Sequence, residues 1–323
     1  MINLFSNMTA VLLLAAGAFL AAGMAFFCLR RQGCAGNKAA ASVCIFALLA
    51  FPLCAYGAHV LYCLADVPNL YRISENPALL FDLTYGGFAL YGGMAGFFAA
   101  CALAAKLTDQ RFLSLADAFA PAGLALIAFV RFAEGAMGQG FSFDVENPAF
   151  CFFPLSVYDP EWEVWYLALF MLEGLYALVC AAYLQRRKSS GRTALALVLY
   201  AGMQIWFESL RRDNFMRCFG GFVRTMQLLS VIIVTVLLLI WLALSSMQPH
   251  QKALALAVHA LCAGGVILME FAVEYKVAFL LRFSMEVLTQ PQHYAMCYGC
   301  MLLFVLAMLI NALIVQRTAR CTA

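Results

Sequence analysis

Apolar stretches long enough to cross a bilayer recur from one end of this chain to the other. A helix needs roughly 20 apolar residues to span the hydrocarbon core, and about nine segments qualify. They cover residues 8–28, 42–64, 87–105, 113–133, 164–184, 194–210, 226–246, 253–273 and 294–315. Inside lipid every backbone amide and carbonyl has to be paired within its own segment, so such runs fold as helices. The expected fold class is therefore an all-α polytopic membrane protein, a bundle of about nine transmembrane helices. Composition agrees: 65% of the 323 residues are hydrophobic and 11% are charged, against about 25% charged in a soluble domain. The first segment, Met8 to Cys28, is longer than a signal-peptide core and has no basic region before it. We read it as the first span rather than a cleaved leader.

Loop charge sets the expected orientation, because Lys and Arg favour the cytoplasmic side. Arg30, Arg31 and Lys38 fall in the first connection, Lys106 and Arg111 in the third, Arg186, Arg187, Lys188 and Arg192 in the fifth, and Arg317 and Arg320 in the tail. These connections are expected inside, with the N-terminus outside and the C-terminus cytoplasmic. Residues 134–163 fit the outside, carrying Glu134, Asp144, Glu146, Asp159, Glu161 and Glu163 without Lys or Arg. Residues 208–225 break the pattern with Arg211, Arg212, Arg217 and Arg224. Translocating them calls for compensation. Pairing with Glu208 and Asp213 is one reading, and a site for anionic lipid head groups is the other, since arginine matches phosphate bidentately.

The 13 cysteines lie mostly in apolar runs, where cysteine behaves as a small hydrophobe. An odd total argues against a disulfide framework. The one Cys-x-x-Cys, Cys297 to Cys300, has only His293 near it in sequence, too few ligands for zinc. No cofactor or metal is expected, and the net charge of +3 gives no reason to expect a nucleic-acid partner.

Arg131 is the sharpest single feature. It ends the apolar run AGLALIAFV and precedes a glycine-rich stretch with Gly135, Gly138 and Gly140. An arginine here either snorkels to the head-group layer or faces a polar cavity, and the glycines favour a turn where backbone approaches a ligand. Gln204, Glu208 and Arg211 share a face if their helix continues. Glu208 is then either a helix-end partner of Arg211 or a carboxylate orienting it in a site. Glu173 sits inside a span, where a carboxylate is functional or hydrogen-bonded to a neighbouring helix. Asp117 is expected to cap or pair near its helix end, and Pro121 to kink that helix. Glu270 and Glu274 form an i, i+4 carboxylate pair at a span end. The stretch TYGGFALYGGMAG, residues 84–96, opens a span with a glycine density that weakens a helix.

Taken in order, several segments resemble the prolipoprotein diacylglyceryl transferase family, bacterial inner-membrane enzymes that lipidate lipoproteins. They are SENPALLFDLTYGGFALYGGMAG, LADAFAPAGLALIAFVRFAEGAMGQG, LFMLEGLYALVCAAYLQRR, LVLYAGMQIWFESLRRD and TMQLLS. The likeness runs from about residue 8 to 246, so residues 1–248 are expected to form a transferase-like membrane domain and 249–323 an extra two-helix segment. The resemblance implies a lipid-filled cavity in which Gly86, Gly87, Gly92 and Gly93 let substrate approach the backbone. It implies that phosphatidylglycerol, or another anionic phospholipid, donates a diacylglyceryl group to the cysteine thiol of a lipoprotein precursor, in the bacterial cytoplasmic membrane. Arg131, Tyr200, Glu208, Arg211, Asp117 and Glu173 match the family pattern. Tyr91 stands where the family has histidine, Glu134 where it has asparagine, Gln139 where it has glutamate, and Gln204 where it has arginine. A tyrosine phenol is a poor base at neutral pH, and glutamine cannot neutralise a phosphate. Tyr91, Glu134 and Glu208 are thus the candidate catalytic residues, and Arg131, Gly92, Gly93, Tyr200, Gln204 and Arg211 the candidate substrate-binding residues. His59, Arg212 and Arg217 are possible stand-ins for the missing groups. A non-catalytic lipid-binding or accessory membrane protein on the same scaffold is the alternative.

Overall fold

A computed structural model describes residues 7–65, 67–187, 191–212, 216, 222–275 and 290–320. The chain is built from helices α1 (Met8–Arg31), α2 (Gly36–Ala65), α3 (Val67–Glu75), α4 (Leu90–Leu107), α5 (Phe112–Ala136), α6 (Leu169–Arg186), α7 (Arg192–Leu210), α8 (Thr225–Leu244), α9 (Pro249–Tyr275) and α10 (Gln290–Arg320). Among the described residues, 8 helices are long and apolar enough to cross a membrane. The remaining expected span is α6, which carries Glu173 and Arg186 within its 18 residues. The protein is an all-α polytopic membrane protein, as its apolar runs require.

One boundary needs correction. The segment expected over 164–184 begins as a strand, and its helix starts only at Leu169. Val164–Leu167 (β2) pairs antiparallel with Ser156–Asp159 (β1). Its sequence, VWYL, is β-branched and aromatic, which suits a pleated surface better than a helix turn.

Contacts divide the chain into two compact units. The first comprises residues 1–64, 68–196 and 210–215, and the second 65–67, 197–209 and 216–323. In the first unit α5 is the central helix, packed against α1, α4 and α6. Its buried face is rich in alanine, with Ala116, Ala118, Ala122, Ala125 and Ala128 fully or almost fully covered. Small side chains let helix backbones approach closely where lipid offers no hydrophobic driving force. In the second unit α10 packs against α8 and α9.

The glycines that open α4 have a structural partner. A Cβ on Gly92 would lie 2.1 Å from the Gly57 carbonyl oxygen of α2, and one on Gly96 would lie 2.2 Å from the Leu53 carbonyl oxygen. Gly92 and Gly96 are one helical turn apart, so α2 and α4 cross in backbone contact along a small-residue stripe. The earlier pair, Gly86 and Gly87, lies under the ring of Tyr62. Ala89 donates its backbone N–H to the Ala58 carbonyl at 2.9 Å, which fixes where α4 begins.

This crossing predicts a contrast between two glycines. Gly96→Val should lower the stability of the purified protein by about 1–3 kcal/mol, the usual cost of overpacking. Gly23→Ala, whose Cβ would meet nothing within 4 Å, should leave the thermal midpoint unchanged. Equal midpoints for both variants would remove the backbone crossing from the account.

Candidate functional site

At the C-terminal end of α5 and the start of α6, two arginines and two glutamates close into a ring. Arg131 Nη1 donates to both Glu134 carboxylate oxygens at 2.7 and 2.8 Å. Arg131 Nε faces Glu173 Oε2 at 2.5 Å. Arg211 Nη2 reaches Glu134 Oε2 at 3.1 Å, and its Nη1 reaches Glu173 at 3.4 and 3.5 Å. Each carboxylate therefore bridges both guanidiniums. Glu173 is fully buried and the two arginine side chains are 7% and 8% exposed, whereas Glu134 keeps 19% of its side-chain surface open. A buried charge is tolerated only when paired and hydrogen-bonded, and here four groups pair with one another with zero net charge.

Local sequence explains how three distant segments deliver these side chains. Arg131 and Glu134 are three residues apart on α5, so they project from the same face. The helix ends at Ala136, and Gly140 then turns the chain with a left-handed φ of 76° that other residues resist. The Gly140 carbonyl accepts from Phe170 N–H at 2.9 Å, tying the turn to the first residues of α6. Glu173 lies one turn further along α6. Arg211 follows directly after α7, and its position is set by the loop after Gly140. Ser142 Oγ donates to the Leu210 carbonyl at 2.5 Å, and Arg212 N–H donates to the Phe141 carbonyl at 3.2 Å. Arg212 pairs with Asp144 and lies over the Tyr166 ring at 5.6 Å. Arg211 and Arg212 thus each have an acidic partner on the 134–163 connection. The compensation expected from Glu208 comes for Arg211 from Glu134 and Glu173.

The structure therefore brings together three candidate residues, Arg131, Glu134 and Arg211, and adds Glu173 as the most buried member. Sequence reading picks out Glu173 as an intramembrane carboxylate, functional or hydrogen-bonded to a neighbouring helix, and names no partner for it. The signal available was the cost of two unpaired charges, Arg131 and Glu173, in adjacent spans. Tyr91 is 7% exposed at the start of α4. Gly92 abuts α2, and a Cβ on Gly93 would have ordinary contacts at 3.7 Å. Tyr200, Gln204 and Glu208 belong to the second unit, where all three are almost fully buried. There Gln204 Nε2 donates to Glu208 Oε2 at 3.3 Å, and Arg224 donates to the Glu208 carbonyl. Glu270 is also buried in this unit and accepts from Gln227 at 3.4 Å, whereas Glu274 is exposed.

Two further residues have structural assignments. Asp117 accepts from Gly191 N–H, Thr193 N–H and Thr193 Oγ1 at 2.6 to 2.8 Å, so it caps the start of α7 from α5. His59 is fully buried and its Nε2 lies 3.1 Å from the Leu79 carbonyl. Among the described residues no group of three His, Cys, Asp or Glu side chains could hold a metal ion. Asp213 and Arg217 lie outside the described residues.

Comparison with known proteins gives one consistent result. The family model described as prolipoprotein diacylglyceryl transferase matches residues 9–243. A phosphatidylglycerol–prolipoprotein diacylglyceryl transferase of Clostridium kluyveri is 28% identical over 192 residues, covering 57% of this chain and 73% of the relative. The protein of the same name from Finegoldia magna is 25% identical over 186 residues, covering 57% and 71%. That from Shouchella clausii is 26% identical over 186 residues, covering 53% and 64%.

The ring makes a prediction about stability. Glu173→Gln leaves two buried guanidiniums with one carboxylate and should cost about 3–5 kcal/mol. Glu134→Gln should cost less, because water reaches that carboxylate. Unfolding midpoints of the two purified variants test the order, and a larger loss for Glu134→Gln would contradict the assignment of Glu173 as the buried anchor.

Proposed function

The chain belongs to the prolipoprotein diacylglyceryl transferase family, and we propose from this that it is a phospholipid-dependent transferase of the bacterial cytoplasmic membrane. Its donor is phosphatidylglycerol and its acceptor is the cysteine thiol of a lipoprotein precursor. Its N-terminus lies outside and its C-terminus in the cytoplasm, so the ring of Arg131, Glu134, Glu173 and Arg211 faces the outer leaflet. That ring is the observation that carries the proposal.

The reaction forms a carbon–sulfur bond at the glyceryl carbon that bears the phosphate. The carbon–oxygen bond breaks, and glycerol phosphate leaves with the bonding electrons. The thiol loses its proton to a base. The protein has to hold the phosphate, stabilise the charge that grows on it, and accept that proton. Arg131 and Arg211 present two guanidiniums whose fork geometry matches phosphate oxygens. Their charges are already matched by carboxylates, so an incoming phosphate has to displace one of them. Glu134, partly exposed, is the displaceable member, and Glu173, fully buried, holds the arginines in place. Once displaced, the Glu134 carboxylate is available to take the thiol proton. This gives the glutamate a role beside an arginine where the family pattern has asparagine, and it replaces the base that Tyr91 cannot supply. Tyr91 and Gly93 on α4 are the proposed flank of the lipid path, with Gly92 fixing the helix that carries them. No step is assigned to Tyr200, Gln204 or Glu208.

A second reading has a specific observation in its favour. Tyr91 and Gln204 stand where the resemblance places a histidine and an arginine, so a scaffold retained for lipid binding or an accessory role would also carry these changes.

One assay separates the two. The purified protein is given phosphatidylglycerol and a peptide with a lipobox cysteine, and the peptide mass is followed. The transferase reading predicts a gain of one diacylglyceryl group. The rate should fall about 100- to 1,000-fold in Arg131→Ala, the usual loss for one charge-stabilising group. No gain, with phosphatidylglycerol still bound, overturns it in favour of the binding role.

A further inference from the structure

The opposite end of the first unit holds a second set of arginines, Arg31, Arg186 and Arg192, and among the described residues none of them forms an ion pair with a carboxylate. Arg192 is 6% exposed. Its Nη1 donates to Cys28 Sγ at 3.3 Å, while its Nε has no hydrogen-bond partner. Cys28 Sγ in turn donates to Gln185 Oε1 at 3.0 Å, and Arg31 Nη1 donates to the Gln185 carbonyl at 2.9 Å. Asp117, the carboxylate that reaches the start of α7, is occupied by donors from Gly191 and Thr193. Among the described residues Arg192 has no ion-pair partner. A buried, unpaired guanidinium is costly, so the site suits an anion that the described residues do not provide.

Beside this cluster runs an apolar groove of about 420 Å³, lined by Leu20 and Met24 of α1, Ala125 of α5, and Leu178, Ala181 and Ala182 of α6. Gln185 and Arg186 complete its lining. Its volume falls within the roughly 300–1,000 Å³ typical of ligand sites. Gln185 is thus shared between groove and cluster, which puts the apolar groove next to Arg31, Arg186 and Arg192. The ring at Glu173 is a separate place: 13 residues along α6 separate it from Arg186, or about 20 Å at 1.5 Å per residue.

We propose that this end of the bundle is a second lipid site, which takes an anionic phospholipid with one acyl chain in the groove and its phosphate on Arg31 and Arg186 above Arg192. Exposed Arg31 and Arg186 contact the head group directly. Arg192 lies below them in low dielectric, where an unpaired charge attracts an anion more strongly than at the surface. The placement at the basic end of the helices suits the leaflet in which anionic lipids meet juxtamembrane arginines. The site stands whether or not the outer ring is catalytic.

The test uses the full chain in phosphatidylcholine nanodiscs containing a small share of phosphatidylglycerol with a photoactivatable group in its acyl chain. Labelled residues are mapped by mass spectrometry. Label is expected on Leu20, Met24, Leu178 and Ala182, competed by unlabelled phosphatidylglycerol. It should drop about tenfold in Arg192→Gln and in Arg186→Gln, the size of one charge-assisted contact. Ala182→Trp, which fills the groove from its exposed side, should abolish it with the arginines intact. Label near Arg131 in the same sample reports the outer ring separately. If a photoactivatable phosphatidylcholine labels the groove equally, or if the folded Arg186→Gln variant labels as the parent does, the groove holds ordinary surrounding lipid and the proposal is overturned. Arg186 is exposed, so its variant decides the matter even if Arg192→Gln does not fold.

Discussion

Two guanidiniums and two carboxylates, all but Glu134 shut off from water, impose the strictest condition on this fold. Each ion alone would be expensive to desolvate, and only a geometry in which all four meet recovers that cost. Meeting that condition requires the end of α5, the start of α6 and the residue after α7 to converge. The glycine turn at 140, the Ser142 bond to Leu210 and the Arg212 pair with Asp144 all serve that convergence. The alanine-rich face of α5 serves it too, since small side chains bring α1 and α6 close enough for α6 to present Glu173 beside Arg131. The proposed function asks more of the same closure. An incoming phosphate has to compete with a carboxylate, and the partners differ in burial, so the competition has a defined loser in Glu134.

The helical fold was legible because apolar runs of this length have one solution in lipid. What the runs could not give was the boundary at residues 164–169, where a short aromatic and β-branched strand precedes the helix. Arg131 was legible by its place at a span end before a glycine-rich stretch. Its partnership with Glu173 was not, because nothing in sequence order links two residues on separate spans. Arg211 illustrates the same gap. Sequence proximity offered Glu208, but α7 ends at Leu210 and the following residue turns to α5 and α6. Gly92 shows a signal with two meanings. Glycine at a helix start admits a ligand or a neighbouring helix, and in this structure its nearest neighbour is the backbone of Gly57.

The two ends of the first unit contrast in a way that composition hides. One end balances its arginines with carboxylates, and at the other Arg192 has no ion-pair partner among the described residues. A balanced cluster can exchange a partner during a reaction, whereas an unmatched one favours a resident anion. In the second unit α9 and α10 lie beyond the region that matches the family model, yet α9 contributes Glu270 to the side chain of Gln227 on α8. These helices are therefore packed into the unit through a polar contact as well as through apolar surface.

The central claim is that lipid phosphate takes the place of Glu134 on Arg131 and Arg211. An experimental structure of the full chain with phosphatidylglycerol bound tests it most directly. The account predicts phosphate oxygens within hydrogen-bond distance of both guanidiniums, Glu134 turned away, and Glu173 still on Arg131. A bound lipid with its phosphate elsewhere and the four-charge ring intact would contradict it.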